Sequence, residues 1–188
     1  MNGRILFKKL KFIIIFSSTI LKFSPKFFRI FLWDCMSKYS QILFIGLRYL
    51  ILKSLVKSCG NNVRIGTNVT ITHWESFTIG DNVSIHSNCY LDGAGGIEVG
   101  NDVSIAHNSS ILSSNHSWED NSMPIKYNPV LLKKVILEND VWIGCGCRIL
   151  AGVTISSRTI IAAGAVVNKN TDGNSIYGGI PAKKIKSI

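Results

Sequence analysis

The sequence predicts a mainly β protein: a parallel β-helix of six-residue repeats, with an N-terminal helical, apolar-basic segment and one extruded loop. Three observations carry this expectation. From residue 61 onward an aliphatic residue recurs every six positions, the rhythm breaks over residues 112–134, and the first third differs in composition from the rest.

The first third, residues 1–58, is read as a segment of its own. Residues 1–60 contain 11 basic residues (Arg4, Lys8, Lys9, Lys11, Lys22, Lys26, Arg29, Lys38, Arg48, Lys53 and Lys57) and a single acid, Asp34. The remaining residues hold 10 of each sign, so the whole net charge of +10 lies at this end. The basic residues are interleaved with apolar ones, as in Lys11-Phe-Ile-Ile-Ile-Phe16. That mixture suits an anionic membrane surface, where apolar faces bury and cations meet headgroups, and it excludes nucleic acid as the favoured partner. A helix that simply packs on the rest of the chain is the alternative. The charge-free runs Phe12 to Leu21 and Tyr39 to Leu47 fall short of the roughly 20 residues that span a bilayer. The first run resembles a signal-peptide core, but Lys22 and Lys26 follow it and no small-x-small cleavage site is present. The segment is therefore expected to be uncleaved, cytoplasmic and peripheral to the membrane, with Pro25 interrupting any continuous helix.

Residues 59–170 carry the repeats. One series is Ile65, Ile71, Phe77; a second Ile79, Ile85, Leu91, Ile97; a third Val99, Ile105, Ile111; the last Leu137, Ile143, Ile149, Ile155, Ile161, Val167. Two residues before most of these stands a small or β-branched residue, among them Val69, Val83, Cys89, Val103, Ser109, Val141, Cys147 and Ala165. A period of six fits neither a helix nor simple alternation. Short strands such as Val-Ser-Ile, separated by Gly, Asn, Asp and Ser, predict a triangular coil of about 18 residues whose turns stack by parallel pairing. Both residue types then face the narrow interior, and Asp81-Asn82, Asn101-Asp102 and Asn139-Asp140 fall at corners as turn formers. The five cysteines, Cys35, Cys59, Cys89, Cys145 and Cys147, form no disulfide framework and read as reduced thiols, with Cys89 and Cys147 as core filler.

The interruption at 112–134 reads as a loop extruded from the solenoid, and such loops carry function. Residues 171–188 leave the coil register and read as a basic tail.

On these residues the chain resembles a known family. Ile143-Gly-Cys-Gly-Cys-Arg-Ile-Leu-Ala-Gly-Val-Thr-Ile155 resembles the hexapeptide-repeat signature, and Ile161-Ala-Ala-Gly-Ala-Val-Val-Asn-Lys169 with Gly179-Ile-Pro-Ala-Lys183 resembles the acetyl-CoA end of that family. Ser114-Asn-His-Ser-Trp-Glu-Asp120 and Val135 to Ile143 match the branch of maltose, galactoside and polysaccharide O-acetyltransferases. The resemblance covers roughly residues 59–188. It implies a left-handed parallel β-helix, a homotrimer with sites in clefts between neighbouring subunits, acetyl-CoA as acyl donor, a carbohydrate acceptor and no metal. It also implies that His116, on the extruded loop, is the general base. That role is chemically reasonable, because a neutral imidazole can take the proton of a poorly nucleophilic hydroxyl as it attacks a thioester. The main-chain N–H of Cys145 maps onto the oxyanion donor, and Asp92 and Asn115 onto the acceptor site. Trp142 maps near the cleft, with subunit packing as a compatible role; a plain turn role is the alternative for Asp92. Ala162, Ala163 and Gly164 offer a flat surface for a pantetheine arm, and Asn168, Lys169, Lys183 and Lys186 match positions near the rest of the coenzyme. A solvated basic tail is the alternative for the lysines. Glu119 or Asp120 is available to orient His116.

Departures from the pattern are Ala151 for the usual Pro, Ser156-Ser-Arg158 for Gly-Asp-x, and His86 where Gly is common. They touch turn geometry and no proposed catalytic atom. The expected activity is O-acetylation of a sugar in a surface polysaccharide or its precursor. Rival readings are a non-catalytic scaffold, a serine acetyltransferase and a nucleotide-sugar N-acetyltransferase. The zinc carbonic anhydrases share the fold, but His73, His86, His107 and His116 lack their ligand spacing.

Overall fold

The computed structural model describes residues 16–188. The basic residues Arg4, Lys8, Lys9 and Lys11, and most of the apolar run that follows them, lie outside that range. Helix α1 (16–22) ends at a turn before Pro25, which has no N–H to continue a helix and instead begins α2 (Lys26–Met36). A third helix, α3 (Ile42–Leu55), follows a short loop.

The helices lead into stacked coils of short strands. The first coil is β1 (Ser58–Cys59), β2 (Arg64–Ile65) and β3 (Thr70–Thr72); the second is β4 (Phe77–Ile79), β5 (Ser84–Ile85) and β6 (Tyr90–Asp92); the third is β7 (Ile97–Val99), β8 (Ser104–Ile105) and β9 (Ser110–Leu112). A two-stranded arm, β10 (Ser114–His116) and β11 (Val130–Leu132), then leaves the coil. The fourth coil is β12 (Val135–Leu137), β13 (Trp142–Ile143) and β14 (Arg148–Ile149); the fifth is β15 (Thr154–Ile155), β16 (Thr159–Ile161) and β17 (Val166–Val167). Finally β18 (Ser175–Gly178) and β19 (Lys183–Ser187) close the top.

Pairing between coils is parallel and generates three flat faces. The first sheet runs β1-β4-β7-β12-β15, the second β2-β5-β8-β13-β16-β18-β19, and the third β3-β6-β9-β14-β17. Ile65, Ile85, Ile105, Ile143 and Ile161 stack in register inside the second sheet, each at most 1% exposed. Burying each such side chain contributes about 1.5–3 kcal/mol, and the stacked ladder is what holds strands only two or three residues long. Val69, Val83, Cys89, Val103, Ser109, Val141, Cys147 and Ala165 are likewise buried, as the spacing predicted.

The coil length differs from the expected 18 residues. In the first three coils equivalent residues are 20 apart, as Asn61 and Asp81 are. The separation falls to 18 above the arm, as between Asp140 and Arg158. The two extra residues lie in the corner between the third and first sheets: Ile71 and Phe77, like Leu91 and Ile97, are six residues apart, whereas the equivalent Ile149 and Val153 are four apart. This is the two-residue step between series in the sequence.

Corners are held by side-chain ladders. Asp81 Oδ1 accepts the N–H of Asn61 at 2.6 Å, Asn101 Oδ1 that of Asp81 at 2.8 Å, and Asn139 Oδ1 that of Asn101 at 2.7 Å. The residues 171–188, expected to leave the register, extend it by one level: β18 pairs with β16 in parallel, and β19 folds back on β18 antiparallel.

The open carbonyl edge beneath the first coil is capped by the helices. Arg48, 1% exposed, donates to Ile65 O; Tyr49 Oη donates to Gly60 O at 2.7 Å; Lys53 Nζ reaches Cys59 O at 2.5 Å; and Trp33 Nε1 donates to Val69 O at 3.1 Å. All three sheets thus end on a donor from α2 or α3, which satisfies backbone groups that would otherwise be stranded at a buried edge.

Candidate functional site

The arm emerges at the corner between the third and first sheets, and its base is bolted to the coil below. Ser113 Oγ donates to Asp92 O at 2.6 Å and accepts the N–H of Gly95 at 2.8 Å, and the Lys133 N–H returns to Ser113 O at 2.9 Å. The extruded loop begins and ends as a hairpin, with Ser114 opposite Leu132 and His116 opposite Val130. Asn115 and His116 stand exposed on β10.

Asp92, at the end of β6, lies in the same corner and is 8% exposed. Its Oδ1 accepts from Thr72 Oγ1 at 2.7 Å and from the Ala94 N–H at 3.2 Å, and its Oδ2 accepts from Ser114 Oγ at 2.5 Å. His73 Nδ1 lies 3.3 Å from Oδ1. Burial pushes the carboxyl up, but the hydrogen bonds from Ser114, Thr72 and Ala94, with His73 beside it, outweigh this and hold it below the usual carboxylate range. Thr72, His73, Ser113 and Ser114 were not singled out from the sequence as site residues. A 20-residue register would have aligned Thr72 with Asp92.

Among the described residues neither Glu119 nor Asp120 contacts His116 through a hydrogen bond or ion pair. Asp120 Oδ1 is turned to Ser122, accepting its N–H at 2.8 Å and its hydroxyl at 2.5 Å.

A second group forms at the corner between the second and third sheets. Here one backbone position in each coil has positive φ: Asn68, Asn88, Asn108, Gly146 and Gly164, with values of 52°, 60°, 60°, 68° and 74°. Asparagine supports this conformation in the lower three coils, so the two upper glycines are not demanded by φ alone. A Cβ on Gly146 or Gly164 would meet nothing within 4 Å, so their replacement of asparagine leaves a bare surface. Beside it lie half-buried Ala162 and exposed Ala163. Gly144 differs, because a Cβ there would fall 2.6 Å from Ala163 N, and only glycine permits this close stacking. The Cys145 carbonyl accepts the Gly164 N–H at 2.8 Å, whereas its own N–H has no acceptor among the described residues. Its thiol is half-buried, and burial pushes the neighbouring Cys147 thiol up. Trp142, three positions before Cys145, is 54% exposed on the outer face of the second sheet.

Asn168 and Lys169 are exposed after β17, and Lys183 and Lys186 are exposed on β19. These lysines have no carboxylate partner among the described residues, while the adjacent Lys184 pairs with Asp172 at 3.2 Å. The structure therefore brings Asp92, Asn115 and His116 to one corner and Cys145, Ala162, Ala163 and Gly164 to another. The third sheet separates the two corners, so one chain alone does not join them. No group of three or more His, Cys, Asp or Glu residues suited to a metal exists among the described residues; His86 and His107 share the corner between the second and third sheets in adjacent coils, and His73 stands apart at the corner beside Asp92.

Comparison with known proteins agrees with this architecture. Residues 134–169 match the family model described as bacterial transferase hexapeptide (six repeats). A maltose O-acetyltransferase structure from Clostridium difficile superposes with a TM-score of 0.77 at 25% identity, covering 89% of this chain and 88% of that one. A hexapeptide-repeat-containing acetyltransferase of Vibrio cholerae, solved with acetyl coenzyme A, gives a TM-score of 0.74 at 24% identity over 93% and 86% of the two chains. In sequence, the 2,3,4,5-tetrahydropyridine-2,6-dicarboxylate N-acetyltransferase of Staphylococcus aureus is 41% identical over 58 residues, which is 31% of this chain and 24% of that protein. The match spans about a quarter of the length of the curated relatives. The fold is a parallel β-helix built on six-residue repeats. Residues 134–169 of this chain carry the hexapeptide repeats, and the chain shares the fold of that maltose O-acetyltransferase.

Proposed function

We propose that this chain is an acetyl-CoA-dependent O-acetyltransferase acting on a sugar hydroxyl of a surface polysaccharide or its lipid-linked precursor. The observation that carries the reading is an exposed histidine, His116, on the arm that interrupts the coils, in the corner that also holds the buried carboxylate of Asp92.

In this reading Asp92 positions the acceptor. Its Oδ2 accepts only from Ser114, which leaves a lone pair for a sugar hydroxyl, and Asn115 adds a further polar contact. His116 takes the hydroxyl proton as the sugar oxygen bonds to the thioester carbonyl carbon. The free N–H of Cys145 donates to the oxyanion that forms. The carbon–sulfur bond then breaks, and His116 returns the proton to the departing thiolate. The bare surface at Ala162, Ala163, Gly146 and Gly164 suits the pantetheine arm, Asn168 a polar contact along it, and Lys169, Lys183 and Lys186 the phosphates. Because the His116 and Cys145 corners lie at opposite edges of the third sheet, the reaction requires the Cys145 corner and Trp142 of a neighbouring copy, arranged as a homotrimer.

The envelope substrate and the cytoplasmic placement, peripheral on the inner face of the membrane, are supported by the +10 charge concentrated in the apolar first third. A second reading, transfer to an amine in place of a hydroxyl, is favoured by the similarity to an N-acetyltransferase over 58 residues. The test is release of free CoA thiol from acetyl-CoA with a panel of sugars, polysaccharides and amino sugars. Acceptor-dependent release supports transfer and its acceptor class separates the two readings; failure to bind acetyl-CoA removes both.

A further inference from the structure

We propose that the outward face of α1 and α2, not residues 1–58 as a whole, is a docking surface for an anionic lipid bilayer, lying in the plane of the membrane. This deepens the peripheral placement proposed above and is independent of the transfer chemistry.

The structure divides the N-terminal segment into two parts with different tasks. Helix α3 is a packing helix: Arg48, Tyr49, Ile51, Leu52 and Leu55 are buried against the base of the coils. The inner faces of α1 and α2 share this role, with Leu21, Ile30, Trp33 and Met36 packed on the core and Trp33 set edge-on to Trp74 at 4.9 Å. Their outer faces remain open. Phe16, Ile20, Phe23, Phe27 and Phe31 are 59%, 54%, 88%, 74% and 60% exposed. The spacing of four within each helix sets Phe16 with Ile20, and Phe27 with Phe31, on single stripes. Isolated exposed apolar residues are ordinary, but a run of five large ones along α1, the turn after it and α2 marks an interaction surface.

The charge on the page selects the occupant. Lys22 and Lys38 are exposed with no carboxylate partner among the described residues, while Lys26 is already paired with Glu75 at 2.7 Å. Asp34 is the single acid of residues 1–60. A second copy seated face to face would set these cations against their own kind, which disfavours self-association. An anionic bilayer offers both complements at once, apolar acyl chains for the aromatic stripe and negative headgroups for the lysines. No helix among the described residues is long and apolar enough to cross a membrane, so the contact is in-plane.

The experiment is co-sedimentation of the full chain with phosphatidylglycerol–phosphatidylcholine vesicles and with phosphatidylcholine vesicles alone. It compares the wild type with Phe23→Ser/Phe27→Ser/Phe31→Ser and with Lys22→Glu/Lys38→Glu. The expected result is binding to the anionic vesicles that weakens with salt and falls roughly tenfold or more in each variant. CoA affinity, thermal midpoint and oligomeric state stay as in the wild type. Absence of vesicle binding by the wild type overturns the proposal. So does full retention of binding by the triple serine variant, which would assign the contact to other residues such as 1–15. A change of oligomeric state in that variant, without vesicle binding by the wild type, would assign the face to a second copy instead. Loss of CoA release on a soluble acceptor with vesicle binding intact would strike the enzymatic reading and leave this one standing.

Discussion

The guanidinium of Arg48 is bound to the carbonyl of Ile65, with Nε at 3.2 Å and Nη2 at 3.1 Å, and this joins α3 to the lowest strand of the second sheet. Its Nη1 also donates to Met36 O at 2.8 Å and Tyr39 O at 2.7 Å, so one side chain closes the sheet edge and fixes the α2–α3 loop. Replacing it strands the buried carbonyl of Ile65 and takes a donor from the part-buried carbonyls of Met36 and Tyr39. Arg48→Leu is expected to lower stability on the order of 3 kcal/mol, from acceptors left without donors. Urea denaturation checks this. A midpoint unchanged from wild type would mean that the helices do not cap the coils.

The same residue shows why part of the fold was hidden in the sequence. Arg48, Lys53 and Trp33 look there like members of a basic, apolar stretch suited to a membrane, whereas all three donate to main-chain carbonyls of the first coil. A donor that caps a sheet edge has no periodicity of its own, so composition cannot separate it from a surface cation such as Lys22. The coils were legible because the inward position repeats: Ile143, Ile149, Ile155 and Ile161 are all fully buried. The two extra residues of the lower coils sit in a corner, between Ile71 and Phe77, where the hexad rhythm does not mark them, and this hid the 20-residue turn and with it the contact of Thr72 with Asp92. His116 and Asp92 are singled out by resemblance alone. Ser113 and Ser114, which hold the arm to that corner, carried no pattern a sequence could reveal.

His116→Ala is expected to reduce acceptor-dependent CoA release by about 10²–10⁴-fold, the usual contribution of a positioned general base. CoA affinity should hold, because none of the residues proposed to hold the coenzyme is contributed by β10. Single-turnover kinetics with titrated CoA would read both quantities. Equal turnover in the variant would remove His116 as base.

Asp92 links acid stability to the acceptor corner. Its native carboxyl is held below the usual range, so folding favours the ionised form. The stability this provides is present above the unfolded pKa, near 4, and is lost as pH falls through the native value. Asp92→Asn removes the ionisation while keeping an acceptor for Thr72. The variant is expected to be less stable than wild type at pH 7, with the gap narrowing as pH drops below about 4. Denaturation at a series of pH values measures this. A gap independent of pH would show that the charge of Asp92 contributes nothing and that only its shape matters.

The asparagine–glycine column allows the coenzyme surface to be tested without damaging the fold. Asn108 already sustains φ of 60° at the position directly below Gly146, so Gly146→Asn and Gly164→Asn place a residue the backbone geometry accepts. The added side chain enters open space, since a Cβ at either site has no neighbour within 4 Å. Thermal midpoints should therefore shift little, while affinity for CoA should fall at least tenfold as the side chain occupies the bare corner. Gly144→Ala supplies the opposite behaviour. Its Cβ would collide with the Ala163 main chain at 2.6 Å, so it should lose stability and, only as a consequence, binding. Calorimetric titration of CoA on all three variants, each paired with its unfolding curve, separates the two effects. If the asparagine variants bind CoA as wild type does, the pantetheine arm runs elsewhere, and the switch from asparagine to glycine in the upper coils has another cause.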